Sequence, residues 1–291
     1  MTGQLSLLSV GILFGLSGVF AKYLSGWMNP YQTVAFRFGI AFLLAAVGLI
    51  LTKQKFDITK VNKTKLALFA VSFPAQAIFF TLSVFYTKVA LAVFAFYIAN
   101  LLSSFLLGFF LFNEKIDTKK AFALICIIGS LMCFTNPLQG FNINAGFMFG
   151  LIAGVVQTVA SIFQKTIGEK TNKLSLLMVQ TFAGTMMAAL AMLVTSTLFI
   201  PEMPLPAVSV TVLFGAVFLL ISYLLLIGFQ KMNLNVGTLL ISSELLFGPA
   251  FAFLLFHESL GMLEVIGGLL TIVAVVVVNS DFLKREKVAA G

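Results

Sequence analysis

Apolar stretches of about twenty residues recur along this chain, from its first residues to near Asn279. A helix of about that length spans the roughly 30 Å hydrocarbon core of a bilayer. The chain is 60% hydrophobic and only 10% charged, whereas roughly a quarter of the residues in a soluble domain are charged. No soluble fold buries so much apolar surface. The sequence therefore predicts an all-α integral membrane protein.

Charged residues, proline, asparagine and glycine divide the apolar stretches into ten predicted transmembrane helices. These run over 5–24, 30–51, 65–86, 89–112, 119–135, 145–166, 174–199, 207–229, 234–256 and 261–278. An even number of spans places both termini on the same side of the membrane. Fifteen of the 18 Lys and Arg residues lie in one set of alternate loops. The positive-inside rule then predicts that both termini face the cytoplasm, with the protein in the plasma (inner) membrane.

The chain matches itself at an offset of 143 residues in the earlier helices and 144 in the later ones. At these offsets Arg37 aligns with Gln180, Asn100 with Glu244, and 111–114 with 255–258. We therefore expect two five-helix repeats, over 1–136 and 144–291. Because each has an odd number of spans, the second is expected to be inverted in the membrane, as in many transporters. The alternative is that two apolar sequences align loosely through shared composition.

Several short motifs support a family resemblance. They are Phe14-Gly15, Arg37, Glu114 and Glu258 after apolar helices, and Gly248-Pro249. On these residues the chain resembles the drug/metabolite transporter superfamily and, within it, the EamA family of ten-helix transporters. One departure is Ser104-Phe105, where many relatives have a second proline. The resemblance implies a carrier with a central cavity between the two halves, for solutes that range from amino acids to sugars and drugs.

Arg37 and Glu244 are the charged residues expected well inside a span. A charge at mid-bilayer costs roughly 2.5 to 3.5 kcal/mol on insertion scales, so both need a reason to be there. Counted from the helix ends, they lie within about 5 Å of the same membrane level. One interpretation is a polar site in which Arg37 attracts an anionic group and Glu244 meets a cation or a proton. The other is a structural ion pair between two helices.

Other polar residues fall at helical spacing on single helix faces. The candidates for substrate binding or coupling among them are Tyr97, Asn100, Ser104, Gln76, Gln157 and Gln180. These residues could line a substrate pocket or form hydrogen bonds between helices, and the sequence does not choose between the two roles. The fifth and tenth helices carry almost none and are expected at the periphery. Glu114 and Glu258 follow helix ends, where we expect a solvated or loop-tethering role.

Glycines at Gly11, Gly15 and Gly18, and at Gly150 and Gly154, have the spacing that lets two helices approach closely. We expect them to serve packing. Pro74 and Pro249 free backbone carbonyls within their helices and permit bends.

The function expected from these features is a secondary or facilitative transporter of a small metabolite such as an amino acid, with export as the expected direction. A single histidine, no zinc helix motif and no phosphate-binding loop argue against an enzyme, a metal site, a cofactor or a nucleotide-driven pump. The expected partners are the solute, the bilayer, protons as the candidate coupling ion and a second copy of the chain; no nucleic acid is expected. The alternative is a channel-like or structural membrane subunit.

Overall fold

The computed structural model describes residues 3–59, 61–112, 118–135, 144–167, 172–199, 201–231 and 240–289, and side chains are described except at 108–112, 164–166, 230 and 278–289. This part of the chain contains ten α-helices and no strand. They are α1 Gly3–Leu24, α2 Pro30–Leu51, α3 Lys63–Tyr86, α4 Val89–Phe112, α5 Thr118–Thr135, α6 Ala145–Ile167, α7 Lys173–Val194, α8 Leu205–Lys231, α9 Glu244–Phe256 and α10 Met262–Ala289. Helices α1 to α8 are long and apolar enough to cross a membrane.

Asparagine caps start several of the helices. The Asn29 side chain accepts a hydrogen bond from the backbone N–H of Gln32 at 2.8 Å, and the Gln32 side chain accepts one from the Asn29 N–H at 3.0 Å. This reciprocal pair satisfies two helix N–H groups that would otherwise lack partners. Asn62 and Asn172 cap α3 and α7 through their side-chain oxygens. These polar residues fix where each apolar helix begins.

Helix α7 is shorter than the sequence predicts. The expected span reached residue 199, but the helix ends at Val194. Thr195 is the C-cap, and its hydroxyl donates to the Ala191 carbonyl at 2.8 Å. Ser196 follows with a left-handed φ of 54°, which turns the chain out of the helix.

Helices α2 and α7 pack side by side and run antiparallel. At one end, the Gln32 side chain donates to the carbonyls of Thr197 and Phe199, at 3.2 and 2.7 Å. At the other end, the Asn172 side chain donates to the Lys55 carbonyl at 3.4 Å. The start of each helix therefore lies beside the end of the other.

Helices α5 and α10 form a second antiparallel pair at the edge of the bundle, where their main contacts are with each other and with α4. The Ser130 hydroxyl donates to the Gly267 carbonyl at 2.7 Å and lies 2.7 Å from the Thr271 hydroxyl. This edge position agrees with the small number of polar residues in both helices.

Glycines bring the helices of the two halves into backbone contact. A Cβ atom at Gly11 in α1 would overlap the Ser243 hydroxyl, just before α9, and would lie 2.8 Å from the Ile241 carbonyl oxygen. A Cβ atom at Gly154 in α6 would overlap the Phe96 carbonyl oxygen of α4. The packing role expected for these glycines is confirmed. The contacts at Gly11 and Gly154 join α1 to α9 and α6 to α4.

The predicted helix over 234–256 is interrupted in its described part. Residues 232–239 lie outside the described chain, and the helical segment that includes Leu240 is interrupted by a turn at Ser242-Ser243. Helix α9 begins only at Glu244 and has 13 residues.

Two adjacent serines account for this interruption. The Ser243 hydroxyl donates to the Leu240 carbonyl at 2.8 Å, and the N–H of Leu245 bonds to the carbonyl of Ser242, three residues back, at 2.9 Å. Serine side chains compete with the helical backbone for its carbonyls, and paired small polar residues are common sites of helix bending. As a result, Glu244 lies at a helix start inside an apolar region of the sequence.

Candidate functional site

Arg37 lies inside the helix bundle on the α2 face that packs against α8. Only 4% of the residue is exposed. Its guanidinium carbon is 4.7 Å from the ring centroid of Phe214, 4.9 Å from that of Phe218 and 5.4 Å from that of Phe38. Aromatic faces attract a cation, so these rings hold the guanidinium in place.

The hydrogen-bonding capacity of Arg37 is largely unused. Its Nε and Nη2 atoms are buried and have no hydrogen-bond partner among the described residues. A buried donor without a partner costs roughly 1 to 3 kcal/mol, and more when the group is charged. Arg37 therefore stays a candidate for binding an anionic group.

Arg37 and Glu244 do not form an ion pair. In the described part of the chain, the ion pairs within 4 Å are Lys22 with Glu258 and Lys88 with Glu264. The interpretation of Arg37 and Glu244 as a structural ion pair is therefore wrong. Each of the two charged groups is buried separately, at 4% exposure.

Glu244 is held by a tyrosine from the other half of the chain. The Tyr97 hydroxyl of α4 lies 3.0 Å from Oε2 of Glu244 and 3.2 Å from the carbonyl oxygen of Ile241, and its one proton can be donated to either. Tyr97 is itself 4% exposed. This contact places a carboxylate, a phenol and an unwound helix segment together in the interior.

Asn100 faces α6 rather than Glu244. Its side-chain amide donates to the Thr158 hydroxyl at 3.4 Å and to the Gly154 carbonyl at 3.5 Å. Asn100 therefore does not contact Glu244, the residue with which it aligns in the repeat, although their helices α4 and α9 pack together. Tyr97, one turn earlier on α4, makes the contact with Glu244 instead.

Ser103 occupies the buried position that the sequence analysis gave to Ser104. The Ser103 hydroxyl lies 2.6 Å from that of Thr158 and joins the Asn100 contact, whereas Ser104 is exposed. Ser103 and Thr158 were both missed. The available signal was the small-residue face of α6, which places Thr158 one turn after Gly154.

Three glutamines complete the set of candidates. Gln76 and Gln180 are buried, at 8% and 1% exposure, and the described residues give their side chains no hydrogen bond. Gln157 is half-buried and donates to the hydroxyl of Ser161 in its own helix at 3.0 Å. Gln76 and Gln180 therefore stay candidates for ligand binding.

An open crevice lies at the opposite end of α2 from its Asn29 cap. It has a volume of about 790 Å³ and is bounded by the end of α2, the start of α7 and the second half of α8. Thr52, Gln54, Asn172, Lys173 and Tyr223 supply its polar lining. This end of the bundle is therefore accessible between helices that belong to both halves.

Comparison with known proteins decides the family. The EamA-like transporter family matches twice, over residues 1–136 and 144–280. The chain belongs to this family. The resemblance on Phe14-Gly15, Arg37 and Gly248-Pro249 is thereby confirmed, and the protein is a multi-pass membrane transporter of small solutes.

A solved structure shares the fold of this EamA-like transporter. That structure, named "Crystal structure of protein", is 15% identical and superposes with a TM-score of 0.67 over 95% of each chain. No curated protein matches the sequence significantly. In the described residues of this EamA-like transporter, no group of three His, Cys, Asp or Glu side chains could hold a metal ion.

Proposed function

We propose that this EamA-like transporter is a secondary or facilitative carrier that exports a small carboxylate-bearing metabolite, such as an amino acid. The observation that carries this proposal is the buried Arg37 guanidinium, with Nε and Nη2 unpartnered among the described residues. Guanidinium binds a carboxylate through two parallel charge-assisted hydrogen bonds. A solute carboxylate would satisfy both donors and neutralise the buried charge.

The phenylalanines around Arg37 strengthen this proposal. Phe38, Phe214 and Phe218 exclude water from the guanidinium, and an ion pair in such surroundings is stronger than one in water. The same surroundings make an empty site costly, since a desolvated ion loses several kcal/mol of hydration. Binding energy therefore favours a bound anion inside the bundle over one at its surface.

The arrangement of the helices supports two inverted repeats, over 1–136 and 144–291. Helices α2 and α7 occupy equivalent positions in the two repeats and run antiparallel to each other. The contact of α1 with α9 has a counterpart in that of α6 with α4, and both use an aligned glycine, Gly11 or Gly154. Transporters of this architecture move one part of the bundle against another around a central site.

Glu244 is the proposed proton carrier of the cycle. Replacement of Glu244 by Gln should abolish pH-driven accumulation of the solute but leave exchange between equal pools measurable, because an amide cannot take up and release a proton. The measurement is uptake into proteoliposomes with and without a pH gradient. Glu202→Gln is the matched control, since Glu202 is exposed and should behave as wild type. Accumulation by Glu244→Gln to the wild-type extent would remove proton coupling through this residue.

The lysine-rich loops support a plasma-membrane protein with cytoplasmic termini, by the positive-inside rule. Labelling of single cysteines at Lys119 and Glu202 in intact cells tests this orientation. An impermeant reagent should reach position 202 and not position 119. The proposed homodimer stays a prediction, and crosslinking in membranes would test it.

The solute can be identified by comparing metabolites inside and outside cells with and without the gene. A carrier that exports a carboxylate should deplete one such metabolite from the cells and enrich it in the medium. Uptake of that compound by the purified protein in proteoliposomes would then establish the activity. If no anionic or zwitterionic metabolite changes, the proposed substrate class is wrong.

A further inference from the structure

One end of the bundle is held by a lysine at the end of α1 and a glutamate in the loop between α9 and α10. The Lys22 ammonium, at the end of α1, donates to the Thr87 carbonyl at 3.0 Å and lies 3.8 Å from Oε1 of Glu258. Oε2 of Glu258 accepts a hydrogen bond from the Val89 N–H, at the start of α4, at 2.9 Å. Glu258 therefore ties the loop after α9 to the ends of α1 and α4.

A second pair lies beside the first. The Lys88 ammonium is 3.1 and 2.9 Å from the two carboxylate oxygens of Glu264 and donates to the Ser259 carbonyl at 3.0 Å. Oε2 of Glu264 also accepts from the Gly261 N–H at 2.8 Å. This pair fastens the junction between α3 and α4 to the start of α10.

The loop between α9 and α10 reaches these partners through a sharp turn. His257 ends α9 with a left-handed φ of 53°, a conformation that costs energy in a residue with a side chain. The surrounding contacts hold this turn in place. The loop that carries Glu258 is therefore fixed by contacts with the first half of the chain.

The pairs are partly shielded from solvent but not sealed. The side chains of Lys22 and Glu258 are 29% and 11% exposed, and those of Lys88 and Glu264 are 39% and 23% exposed. Ion pairs at such positions stabilise weakly, so thermal motion can break them. This combination suits a contact that must form and break repeatedly.

A buried face of α4 leads from this end of the bundle to Glu244. Val89, Val93 and Tyr97 lie one turn apart, and Val93 is 1% exposed. Beyond them, the Tyr97 hydroxyl contacts Glu244. With the Lys–Glu pairs formed, Val93 is buried beneath this end of the bundle, whereas the crevice at the opposite end is open.

We propose that Lys22, Lys88, Glu258 and Glu264 form a gate, the Lys–Glu gate, that closes the solute pathway at this end of the transporter. The proposal rests on the proposed carrier function and adds the residues that control access. In the carrier cycle the gate breaks when the α9–α10 loop leaves α1 and α4. The crevice between α2, α7 and α8 closes in the same step.

The test measures accessibility at both ends and needs no solute. Single cysteines at Val93, under the gate, and at Ala216, in the crevice, are introduced after replacement of Cys126 and Cys133 by alanine. A maleimide is then applied to the protein in lipid nanodiscs, which expose both faces. Glu258→Gln should raise the labelling rate at position 93 about fivefold to tenfold, the factor that corresponds to losing one ordinary hydrogen-bond contribution of about 1.0 to 1.4 kcal/mol. Labelling at position 216 should fall.

Several variants separate a gate from a general loss of structure. Glu202→Gln makes the same chemical change at an exposed acid and should change neither rate. Lys22→Gln should reproduce the effect of Glu258→Gln, and the double variant should add little to either. If Glu258→Gln does not fold, Lys22→Gln carries the test alone.

Unchanged labelling at position 93, or an equal rise at both positions, would contradict the gate. The labelling rates do not depend on transport of a solute. A failure of the proposed carrier function is therefore distinguishable from a failure of the gate.

Discussion

Replacement of Arg37 by methionine should stabilise the purified protein and at the same time abolish transport of its solute. Removing a buried charge without a salt-bridge partner relieves a desolvation cost, and substitutions of buried ionic groups by apolar ones can gain about 1 to 4 kcal/mol. Methionine retains favourable contacts with Phe214 and Phe218 through its sulfur. For a chain of this length, about 1 kcal/mol raises the melting temperature by roughly 2 to 4 °C.

The expected loss of transport is large because the solute would lose its charged anchor. Leaving one member of a buried ion pair alone costs about 3 to 5 kcal/mol, which corresponds to a loss in affinity of more than about a hundredfold. Arg37→Lys keeps the charge but cannot bind a carboxylate in a bidentate manner, so it should retain intermediate activity. Lys63→Met removes an exposed charge and serves as the control for both measurements.

A lower stability of Arg37→Met would indicate a structural role for Arg37. If Arg37→Met lowered the melting temperature by several degrees, the contacts of the guanidinium with Phe38, Phe214 and Phe218 would be its main role. If the variant were more stable but still transported an anionic solute at the wild-type rate, Arg37 would not be the anchor.

Replacement of Gly154 by alanine should strongly destabilise the fold, although alanine is the best helix former. The new Cβ would overlap the Phe96 carbonyl oxygen and lie 2.8 Å from the Asn100 backbone nitrogen and 2.9 Å from the Ala99 Cβ. Backbone atoms cannot rotate away, so α4 and α6 must separate. Overpacking of this kind costs about 1 to 3 kcal/mol or more. The measurement is thermal unfolding of the purified protein.

Gly39→Ala is the matched control because the same chemical change meets only ordinary van der Waals contacts there. A Cβ at Gly39 would lie 3.9 Å from the nearest atom of Thr185, an ordinary contact distance. This variant should gain up to about 1 kcal/mol of helix propensity. Two changes of identical chemistry should thus shift stability in opposite directions. Equal shifts would mean that the α4–α6 contact is looser than described.

Sequence periodicity predicted the helices well but could not choose between adjacent residues. Successive residues on a helix point about 100° apart, and the polar face of α4 was assigned to Ser104 although the buried hydroxyl belongs to Ser103. The partner of that face, Thr158, lies 55 residues further along the chain. Such a pairing depends on the angle and position at which α4 and α6 pack. This geometry cannot be predicted from a single sequence.

The surroundings of Arg37 and Glu244 illustrate the same limit. Their positions within apolar stretches of the sequence placed both charges inside predicted spans, and both are buried in the structure. Their separation could not be predicted, since it depends on Phe214 and Phe218 enclosing one charge and Tyr97 contacting the other. The helix start at Glu244 was also missed, because the apolar pattern continues through the serines that interrupt the helix.

Counterflow in proteoliposomes tests the carrier account most directly. Liposomes are loaded with an excess of the unlabelled solute, and influx of a trace of labelled solute is compared with influx into empty liposomes that contain the same protein. A carrier that alternates around Arg37 should take up label faster and to a transient excess when the inside is loaded, and Arg37→Met should not. Influx that is equally fast with and without internal solute would indicate a channel, and influx no faster than into protein-free liposomes would contradict transport of that solute.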